Sequence, residues 1–249
     1  MDDVQIIILA AGKSKRMGGD NPKALAMFHG RPFLRHILDT INTLNLNIKP
    51  VIVVGHKKEQ IKEALGNEYK YAEQDEQLGT GHAVKCAKDF MDKEHKIILV
   101  ISTDQPTLSK ETIQNLISKH KENNATISLA TVTVPDFEEW RSGMRHFGRI
   151  IRNDNEKITD IIEFKDANEK EKLVKELNPA IYAFNADWLW ENIDKLKNEN
   201  AQNEYYLTDL IKIAFEENEN IESVPVFNLI EGLQPNTKDE VSMLEKIAV

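Results

Sequence analysis

The 249-residue sequence has a single cysteine and fewer basic than acidic side chains, 32 against 41. Cys86 alone can form neither an internal disulfide bond nor a zinc site built from several cysteines. The formal net charge of -9 repels polyanions, which argues against a nucleic-acid partner. Any phosphate group that binds this chain must therefore meet a locally basic pocket.

A targeting or membrane-spanning pattern is also missing. The segment MDDVQIIILAAG lacks a basic n-region, and its apolar stretch is too short for a signal sequence or a membrane span. We therefore expect a cytoplasmic protein without a membrane partner. No linker, internal repeat or low-complexity tract interrupts the chain, so residues 1–249 are expected to form a single domain with halves of about 1–124 and 125–249.

Strand and helix patterns alternate along the first half of the chain. Short apolar runs rich in isoleucine and valine predict buried strands at 4–9, 51–54 and 97–101. Helical periodicity predicts helices at 33–44, 58–65, 81–91 and 110–121. This alternation predicts an α/β fold with a Rossmann-like, doubly wound sheet.

The second half has more strand patterns than helical ones. Strands are predicted at 125–134, 149–153, 157–164, 180–184 and 223–227, and helices at 186–196, 207–217 and 238–246. We expect a mixed sheet with a substrate-facing lobe there. The polar run 166–175 mixes charges at helical spacing, which is typical of a solvated helix face and suggests no chemistry.

The segment from Leu9 to Leu25 directly follows the first predicted strand. It contains three glycines, one proline and four cations, Lys13, Lys15, Arg16 and Lys23. In open α/β sheets, ligands bind at the carboxyl ends of the strands, where small residues let backbone N–H groups approach a phosphate. The segment thus predicts an anion-binding loop, although a basic surface turn could have the same composition.

Two common phosphate-binding motifs do not fit this loop. A P-loop that ends in Gly12-Lys13-Ser14 would need a glycine at Ile7. A dinucleotide-binding G-x-G-x-x-G motif that starts at Gly12 would need glycines at Ser14 and Met17. The sequence therefore supports neither P-loop hydrolysis nor nicotinamide binding.

The loop resembles the L-A-A-G-x-G-T-R-M…P-K signature of the nucleotide-sugar pyrophosphorylase family. Segment 74–84, QDEQLGTGHAV, is similar to the Q-x-E-Q-L-G-T-G-H-A segment of that family, and 200–209, NAQNEYYLTD, is similar to its N-A-Q-G-E-Y-Y-I-T-D segment. The resemblance is closest to the uridyltransferase domain of bifunctional N-acetylglucosamine-1-phosphate uridyltransferases, and it extends from Val4 almost to the C-terminus. Nothing resembles the hexapeptide repeats of their left-handed β-helix, so acetyl transfer is not expected.

The resemblance implies which residues bind the nucleotide. Arg16 and Lys23 are expected to be catalytic, because they neutralise charge on the phosphates. Gln74 and Gly79 are expected against uracil, since a glutamine amide offers both a donor and an acceptor. His82, on the next predicted helix, is interpreted as a structural or orienting residue. The expected nucleotide-binding residues are Leu9, Ala10, Ala11, Gly12, Lys23, Gln74, Gly79 and Thr80.

Two residues are implied to bind Mg²⁺. Asp104 lies in a segment similar to the G-D-x-P motif of the family, and Asn236 aligns with its second metal-binding residue. Carboxylate and amide oxygens suit a hard cation that keeps waters and phosphate oxygens as its other ligands. Both residues also have a structural interpretation, as caps of the helices predicted to begin near Ser109 and Lys238.

The implied sugar-binding residues come mostly from the second half. Gly148 lies in a segment similar to the Y-G-R segment of the family, and Glu163 lies in one similar to its V-E-x-K-D-A segment. Thr103 and the Pro179-Ala180 pair depart from the family pattern near the expected sugar, so its identity stays open. The implied set is Thr80, Gly148, Glu163, Asn178, Glu204 and Tyr206.

The resemblance implies a nucleotidyltransferase that forms a UDP-sugar and pyrophosphate from UTP and a sugar 1-phosphate, favouring N-acetylglucosamine 1-phosphate and using Mg²⁺. One alternative is another nucleoside triphosphate or another phosphorylated acceptor, because residues 12–18 also resemble loops of molybdopterin-cofactor nucleotidyltransferases. A second alternative is a non-catalytic regulatory protein that binds a nucleotide sugar. The trimers of the family depend largely on the β-helix, so a monomer is expected here.

Overall fold

A computed structural model describes residues 3–12, 17, 21–92 and 94–248 of the chain. Strands and helices alternate in its first half. These elements are β1 (Val4–Leu9), β2 (Met27–Phe28), β3 (Arg31–Pro32), α1 (Phe33–Asn42), β4 (Val51–Val54), α2 (Lys58–Leu65), β5 (Lys70–Glu73), α3 (Thr80–Cys86), β6 (Ile97–Ser102) and α4 (Lys110–Glu122).

The second half contains more strand than helix. Its elements are β7 (Ile127–Thr133), β8 (Gly148–Arg152), β9 (Ile158–Ile162), β10 (Glu176–Asn178), β11 (Tyr182–Asn185), α5 (Ala186–Asn192), α6 (Asp209–Glu216), β12 (Ile221–Pro225) and α7 (Lys238–Ile247). Short 3₁₀ helices at Glu139–His146, Glu171–Leu173 and Leu229–Gly232 lie in the connections.

A mixed sheet of ten strands runs through the described residues in the order β5-β4-β1-β6-β11-β7-β10-β8-β9, with β12 paired to β7. The strands β5, β4, β1 and β6 are parallel to one another. The strand β11 is antiparallel to both β6 and β7, and β8 and β9 form an antiparallel pair. The predicted α/β fold with a mixed sheet is confirmed.

Both faces of the parallel region are buried, which explains why β1 is apolar at every position except Gln5. Successive strand residues point to opposite faces of a sheet. Ile6 and Ile8 therefore pack in one apolar cluster with Phe33 and Ile37 of α1. On the other face, Ile7 packs in a second cluster that includes α3. Helices that cover both faces are the mark of a doubly wound sheet.

Some predicted helices are shorter than expected. The helix predicted at 81–91 ends at Cys86 and is followed by a 3₁₀ turn at Lys88–Phe90. The polar run 166–175 was wrongly interpreted as a helix face, because only Glu171–Leu173 forms a single 3₁₀ turn. No helix within the described ranges has the length and apolar character needed to cross a bilayer.

Candidate active site

The carboxyl ends of β1 and β6 lie side by side and bring two of the predicted segments together. The register pairs Leu9 with Ser102, so the chain leaves both strands at the same level. Thr103 continues this contact, because its backbone N and its Oγ1 both donate to the carbonyl of Leu9, at 3.2 and 3.1 Å. The loop 10–12 therefore begins beside Asp104.

Lys23, Asp104 and Asn236 meet at this edge although they are far apart in the sequence. The Lys23 Nζ donates to Asp104 Oδ2 at 2.5 Å and to Asn236 Oδ1 at 2.8 Å. The side chains of Lys23 and Asp104 are each only 16% exposed. The second carboxylate oxygen, Asp104 Oδ1, is buried and has no hydrogen-bond partner among the described residues. The ammonium group thus lies between two acceptor oxygens, and the second oxygen of the Asp104 carboxylate is beside it.

The electrostatics of this cluster keep Asp104 ionised. Burial alone would raise the pKa of Asp104, but the nearby charge of Lys23 and its hydrogen bond outweigh that effect and lower the pKa below its usual value. A permanently charged carboxylate and an amide oxygen can hold a hard divalent cation. The described residues contain no group of three or more His, Cys, Asp or Glu side chains suited to a metal. A cation here would therefore need phosphate oxygens or water for its remaining ligands.

Neither Asp104 nor Asn236 caps a helix, so the structural interpretation of both residues is wrong. Ser109 caps α4, because its side chain accepts a hydrogen bond from the backbone N of Thr112 at 3.1 Å. Thr237 caps α7 in the same way. Asn236 is instead held by its own side-chain nitrogen, which donates to the Gln234 carbonyl at 2.7 Å. Its side-chain oxygen is thereby directed toward Lys23.

Segment 74–84, which was predicted to bind the base, packs directly against segment 200–209. The backbone N of Tyr205 donates to the Leu78 carbonyl at 2.7 Å, and Gly81 N donates back to the Tyr205 carbonyl at 2.8 Å. Thr80 Oγ1 accepts from Leu207 N at 3.0 Å. Gly79 has a φ of +111°, and a Cβ there would lie 2.5 Å from the Tyr205 carbonyl oxygen. The structure therefore requires a glycine at this position for backbone packing.

Gln74 is buried at the end of β5. Its backbone N donates to the Val54 carbonyl at 2.7 Å, which places it at the edge of the sheet. Its side-chain Nε2 donates to the Gly79 carbonyl at 3.0 Å. Gln74, Gly79 and Thr80, which were predicted to contact the nucleotide, thus form one connected group. Glu204 joins it, because a Cβ on Gly79 would lie 2.9 Å from the Glu204 Cβ.

Three of the predicted sugar-binding residues form a second group, with Gly148 on β8, Glu163 directly after β9 and Asn178 on β10. Asn178 is paired with Gly148 in the sheet. A Cβ on Gly148 would lie 3.6 Å from Glu163 Oε1, and that oxygen accepts from Thr208 Oγ1 at 3.2 Å. A cavity of about 520 Å³ adjoins this group and is lined by His146, Glu163, Phe164, Lys165 and Gln202.

The carboxyl group of Glu163 has an unusual environment for an acid. Burial, helped by the nearby charges of Asp166, Asp209 and Glu204, raises its pKa to about 7 against the hydrogen bond from Thr208, which lowers it. Burial also raises the pKa of Asp209 to about 6. Glu163 can therefore carry a proton at neutral pH and can donate as well as accept a hydrogen bond.

A hydrogen bond from a side chain to the backbone links the predicted sugar-binding residues with the Lys23 cluster. Gln234 Nε2 donates to the Pro179 carbonyl at 2.7 Å, and Pro179 directly follows Asn178. Ala180, where the family pattern has glycine, adopts a left-handed backbone with a φ of +60°. Its backbone N donates to Asn178 Oδ1 at 2.9 Å. The departure at Pro179-Ala180 therefore keeps the turn that orients Asn178, at a cost of about 1 kcal/mol of backbone strain.

Two residues beside the predicted sugar-binding residues were not themselves predicted to belong to the site. Asp166 was assigned to a solvated helix face, but it accepts hydrogen bonds from Tyr206 Oη at 3.1 Å and from Ala201 N at 2.8 Å. Thr208 holds Glu163 and lies inside the 200–209 segment, which is the only signal that could have identified it. The position of Asp166 within a charged run concealed its contact with Tyr206.

Arg16, the other predicted catalytic residue, lies outside the described residues, as do Lys13 and Lys15. Gly12 lies at the end of the described part of this loop, and a Cβ there would meet no atom of the described residues within 4 Å. The role of Arg16 therefore stays a prediction.

Parallel strands that deliver a loop of small residues, a lysine and an ionised carboxylate to one edge of the sheet form a site suited to a phosphate-containing ligand. Comparison with known families agrees, because the chain belongs to the family of MobA-like NTP transferase domains, whose sequence pattern matches residues 6–203. The chain is therefore a nucleotidyltransferase, as the sequence predicted.

Curated relatives and solved structures resemble most of the chain. It is 37% identical to the "Bifunctional protein GlmU" of Exiguobacterium sibiricum, and the match covers 96% of this chain and 51% of that relative. It is also 37% identical to the protein of the same name from Bacillus subtilis strain 168, over 99% of this chain and 52% of that relative. The chain thus spans about half the length of these relatives. A putative glucose-1-phosphate thymidylyltransferase from Bacillus anthracis, in complex with a sucrose, has a TM-score of 0.77 at 18% identity, covering 98% of this chain and 95% of that one. A UDP-glucose pyrophosphorylase complexed with UDP-glucose also has a TM-score of 0.77, at 15% identity, covering 100% and 98%.

Proposed function

We propose that the chain transfers the uridylyl group of UTP to a sugar 1-phosphate, with N-acetylglucosamine 1-phosphate as the favoured acceptor, to give a UDP-sugar and pyrophosphate. The observation that carries this proposal is the contact of Lys23 with Asp104 and Asn236 beside the loop 10–12. Charge-neutralising groups that converge there from distant parts of the sequence suit a reaction between two polyanions.

In the proposed reaction, an oxygen of the sugar 1-phosphate attacks the α-phosphorus of UTP in line. A bond forms between this oxygen and the α-phosphorus, the bond to the β-phosphate bridging oxygen breaks, and pyrophosphate leaves with the electron pair. The attacking oxygen is already an anion, so no general base is required. The ammonium of Lys23 neutralises charge that spreads over the phosphate oxygens during the transfer.

Nucleotidyltransferases of this type generally use a divalent metal. We propose Mg²⁺ for this chain, held by Asp104 and Asn236, because the buried Asp104 Oδ1 has no other partner in the described residues. A bound Mg²⁺ would supply electrophilic stabilisation of the phosphate charge. Lys23 already contacts Asp104 Oδ2 and Asn236 Oδ1, so its ammonium would have to leave the Asn236 oxygen for a metal to bind there.

The proposed substrates rest on the two groups of residues beside this cluster. Gln74 and Gly79 suit the edge and the face of a uracil base, and Gly148, Glu163 and Asn178 suit the hydroxyl and amide groups of a sugar. A protonated Glu163 could donate to a sugar oxygen in a way that an ionised carboxylate cannot. The curated relatives bear the name GlmU, and a solved structure of the same fold contains UDP-glucose, which supports this substrate class.

The test is pyrophosphate release with Mg²⁺, each of the four common nucleoside triphosphates and a panel of sugar 1-phosphates and other phosphorylated acceptors. We expect release with UTP and a sugar 1-phosphate, and loss of release in Lys23→Met. The matched control is Lys49→Met, because the ion pair between Lys49 and Glu68 is exposed. Release with another triphosphate or acceptor would contradict the assigned substrates, and nucleotide-sugar binding without release would favour a regulatory protein.

A further inference from the structure

A short chain of side-chain contacts extends from the base-binding segment into α3. The Nε2 of Gln74 lies 3.0 Å from the Gly79 carbonyl oxygen and 3.1 Å from His82 Nδ1. The other ring nitrogen of His82 lies 3.8 Å from Cys86 Sγ. His82 and Cys86 are four residues apart on α3, so they share one face of the helix.

The chemistry of these groups fixes the direction of every contact. The Gly79 carbonyl can only accept, so it must face the NH₂ of the Gln74 amide. That NH₂ group has two N–H donors and no acceptor, so the Nδ1 of His82 must accept the second one. The ring proton of His82 then lies on Nε2, on the side of Cys86 Sγ, which is a weak acceptor. The NH₂ is therefore committed at both hydrogens, and Oε1 is the amide atom left to bind a ligand.

We propose that His82 is a positioning residue that determines base selectivity by holding the Gln74 amide with Oε1 as the group that reads the base. The proposal rests on the proposed function, in which Gln74 meets uracil. The N3–H of uracil can donate to Oε1, whereas the N3 of cytosine is an acceptor and would oppose it. A buried acceptor that faces another acceptor costs the full desolvation penalty, so the fixed amide discriminates UTP from CTP.

The Gly79 contact alone does not hold the amide in this way. With the Gly79 contact alone, rotating the Gln74 amide breaks one hydrogen bond, and the rotated amide can present its NH₂ to cytosine N3. With the His82 contact in place, the same rotation breaks two hydrogen bonds. This role requires an acceptor at the position of Nδ1 and requires no proton transfer by His82.

The test compares kcat/KM for UTP and for CTP, with one sugar 1-phosphate, in the wild type and in two variants of similar size. His82→Leu lacks an acceptor, whereas His82→Asn keeps an oxygen near the position of Nδ1. We expect the UTP-to-CTP ratio to fall by at least about tenfold in His82→Leu. We expect His82→Asn to retain most of the wild-type ratio. Cys86→Ala is the matched control and should keep the ratio unchanged.

Equal ratios in His82→Leu and His82→Asn, or a ratio in His82→Leu that matches the wild type, would overturn the positioning role. Thermal melting of both variants identifies a general loss of structure, and the ratio is compared only between folded proteins. Equilibrium titration with UTP and CTP gives the same selectivity without turnover. A wild-type enzyme that does not prefer UTP would instead refute the proposed function, so the two failures are distinguishable.

Discussion

The substitution Lys23→Met tests the buried ion pair between Lys23 and Asp104 at the edge of the sheet. Methionine is similar in length to lysine but has no charge, so Asp104 loses its ionic partner while the packing changes little. Removing one partner of a buried ion pair costs about 3 to 5 kcal/mol, because the other charge stays buried. The side chains of Lys23 and Asp104 are each 16% exposed, so we expect the lower end of this range, about 3 kcal/mol.

The assay is urea unfolding at neutral pH, in EDTA and in saturating Mg²⁺. In EDTA, Lys23→Met should lower the free energy of unfolding by about 3 kcal/mol. Each kcal/mol lost should lower the melting temperature by about 2 to 4 °C in a chain of this size. Mg²⁺ should recover more stability in the variant than in the wild type, because no ammonium competes for Asp104 and Asn236. The exposed pair of Lys49 and Glu68 is the control, since Lys49→Met should cost less than about 1 kcal/mol.

A loss in Lys23→Met no larger than that in Lys49→Met would refute this reasoning about the buried pair. An equal effect of Mg²⁺ on the wild type and Lys23→Met would refute the competition between the ammonium and a cation. The double variant with Asp104→Asn separates the pair from other effects of Lys23. In that background, the loss caused by Lys23→Met should fall below about 1 kcal/mol, because no buried charge is left without a partner.

Three further predictions concern single residues. Gly79→Ala should cost several kcal/mol and separate Tyr205 from its partners, because its Cβ would lie 2.5 Å from the Tyr205 carbonyl oxygen. The control Gly143→Ala should leave the melting temperature unchanged, because no atom of the described residues lies within 4 Å of the new Cβ. The pKa of Glu163 is about 7 in the folded chain and 4.5 ordinarily. Between these two pH values the folded state retains a proton that the unfolded state has lost, so the stability of the wild type falls as the pH rises. Glu163→Gln should therefore be more stable than the wild type by about 2 to 3 kcal/mol above pH 7 and converge with it toward pH 4.5, and a difference that does not vary with pH would contradict this. Asp104→Asn should stay folded but lose the dependence of pyrophosphate release on Mg²⁺ concentration, and an unchanged dependence would exclude Asp104 as a metal ligand.

The parallel core could be predicted from the sequence because its signal is local. The largely apolar runs of β1, β4 and β6 follow from burial on both faces, and the observed bounds agree within one residue. By contrast, β5 and β10 were not predicted. The sequence KYAE of β5 buries only Ala72, and β10 has only three residues. Both strands depend on pairing with distant partners, which a local pattern does not contain.

The candidate site was predicted from motif resemblance rather than from periodicity. That resemblance identified Lys23, Asp104 and Asn236, but not the direct contact of Lys23 with both oxygens. Lys23 is separated in sequence by 81 residues from Asp104 and by 213 from Asn236, so this contact depends on how distant segments pack in three dimensions. The requirement for glycine at 79 likewise comes from Tyr205, which lies far along the chain.

The most direct test of the proposed reaction is ³¹P NMR of UTP and N-acetylglucosamine 1-phosphate incubated with the protein and Mg²⁺. The account predicts that the triphosphate and sugar-phosphate signals disappear together, while signals of a UDP-sugar diphosphate and of pyrophosphate appear in equal amounts. With EDTA in place of Mg²⁺, the spectrum should not change. Release of inorganic phosphate, formation of free UMP, or no change with Mg²⁺ present would contradict uridylyl transfer to the sugar 1-phosphate.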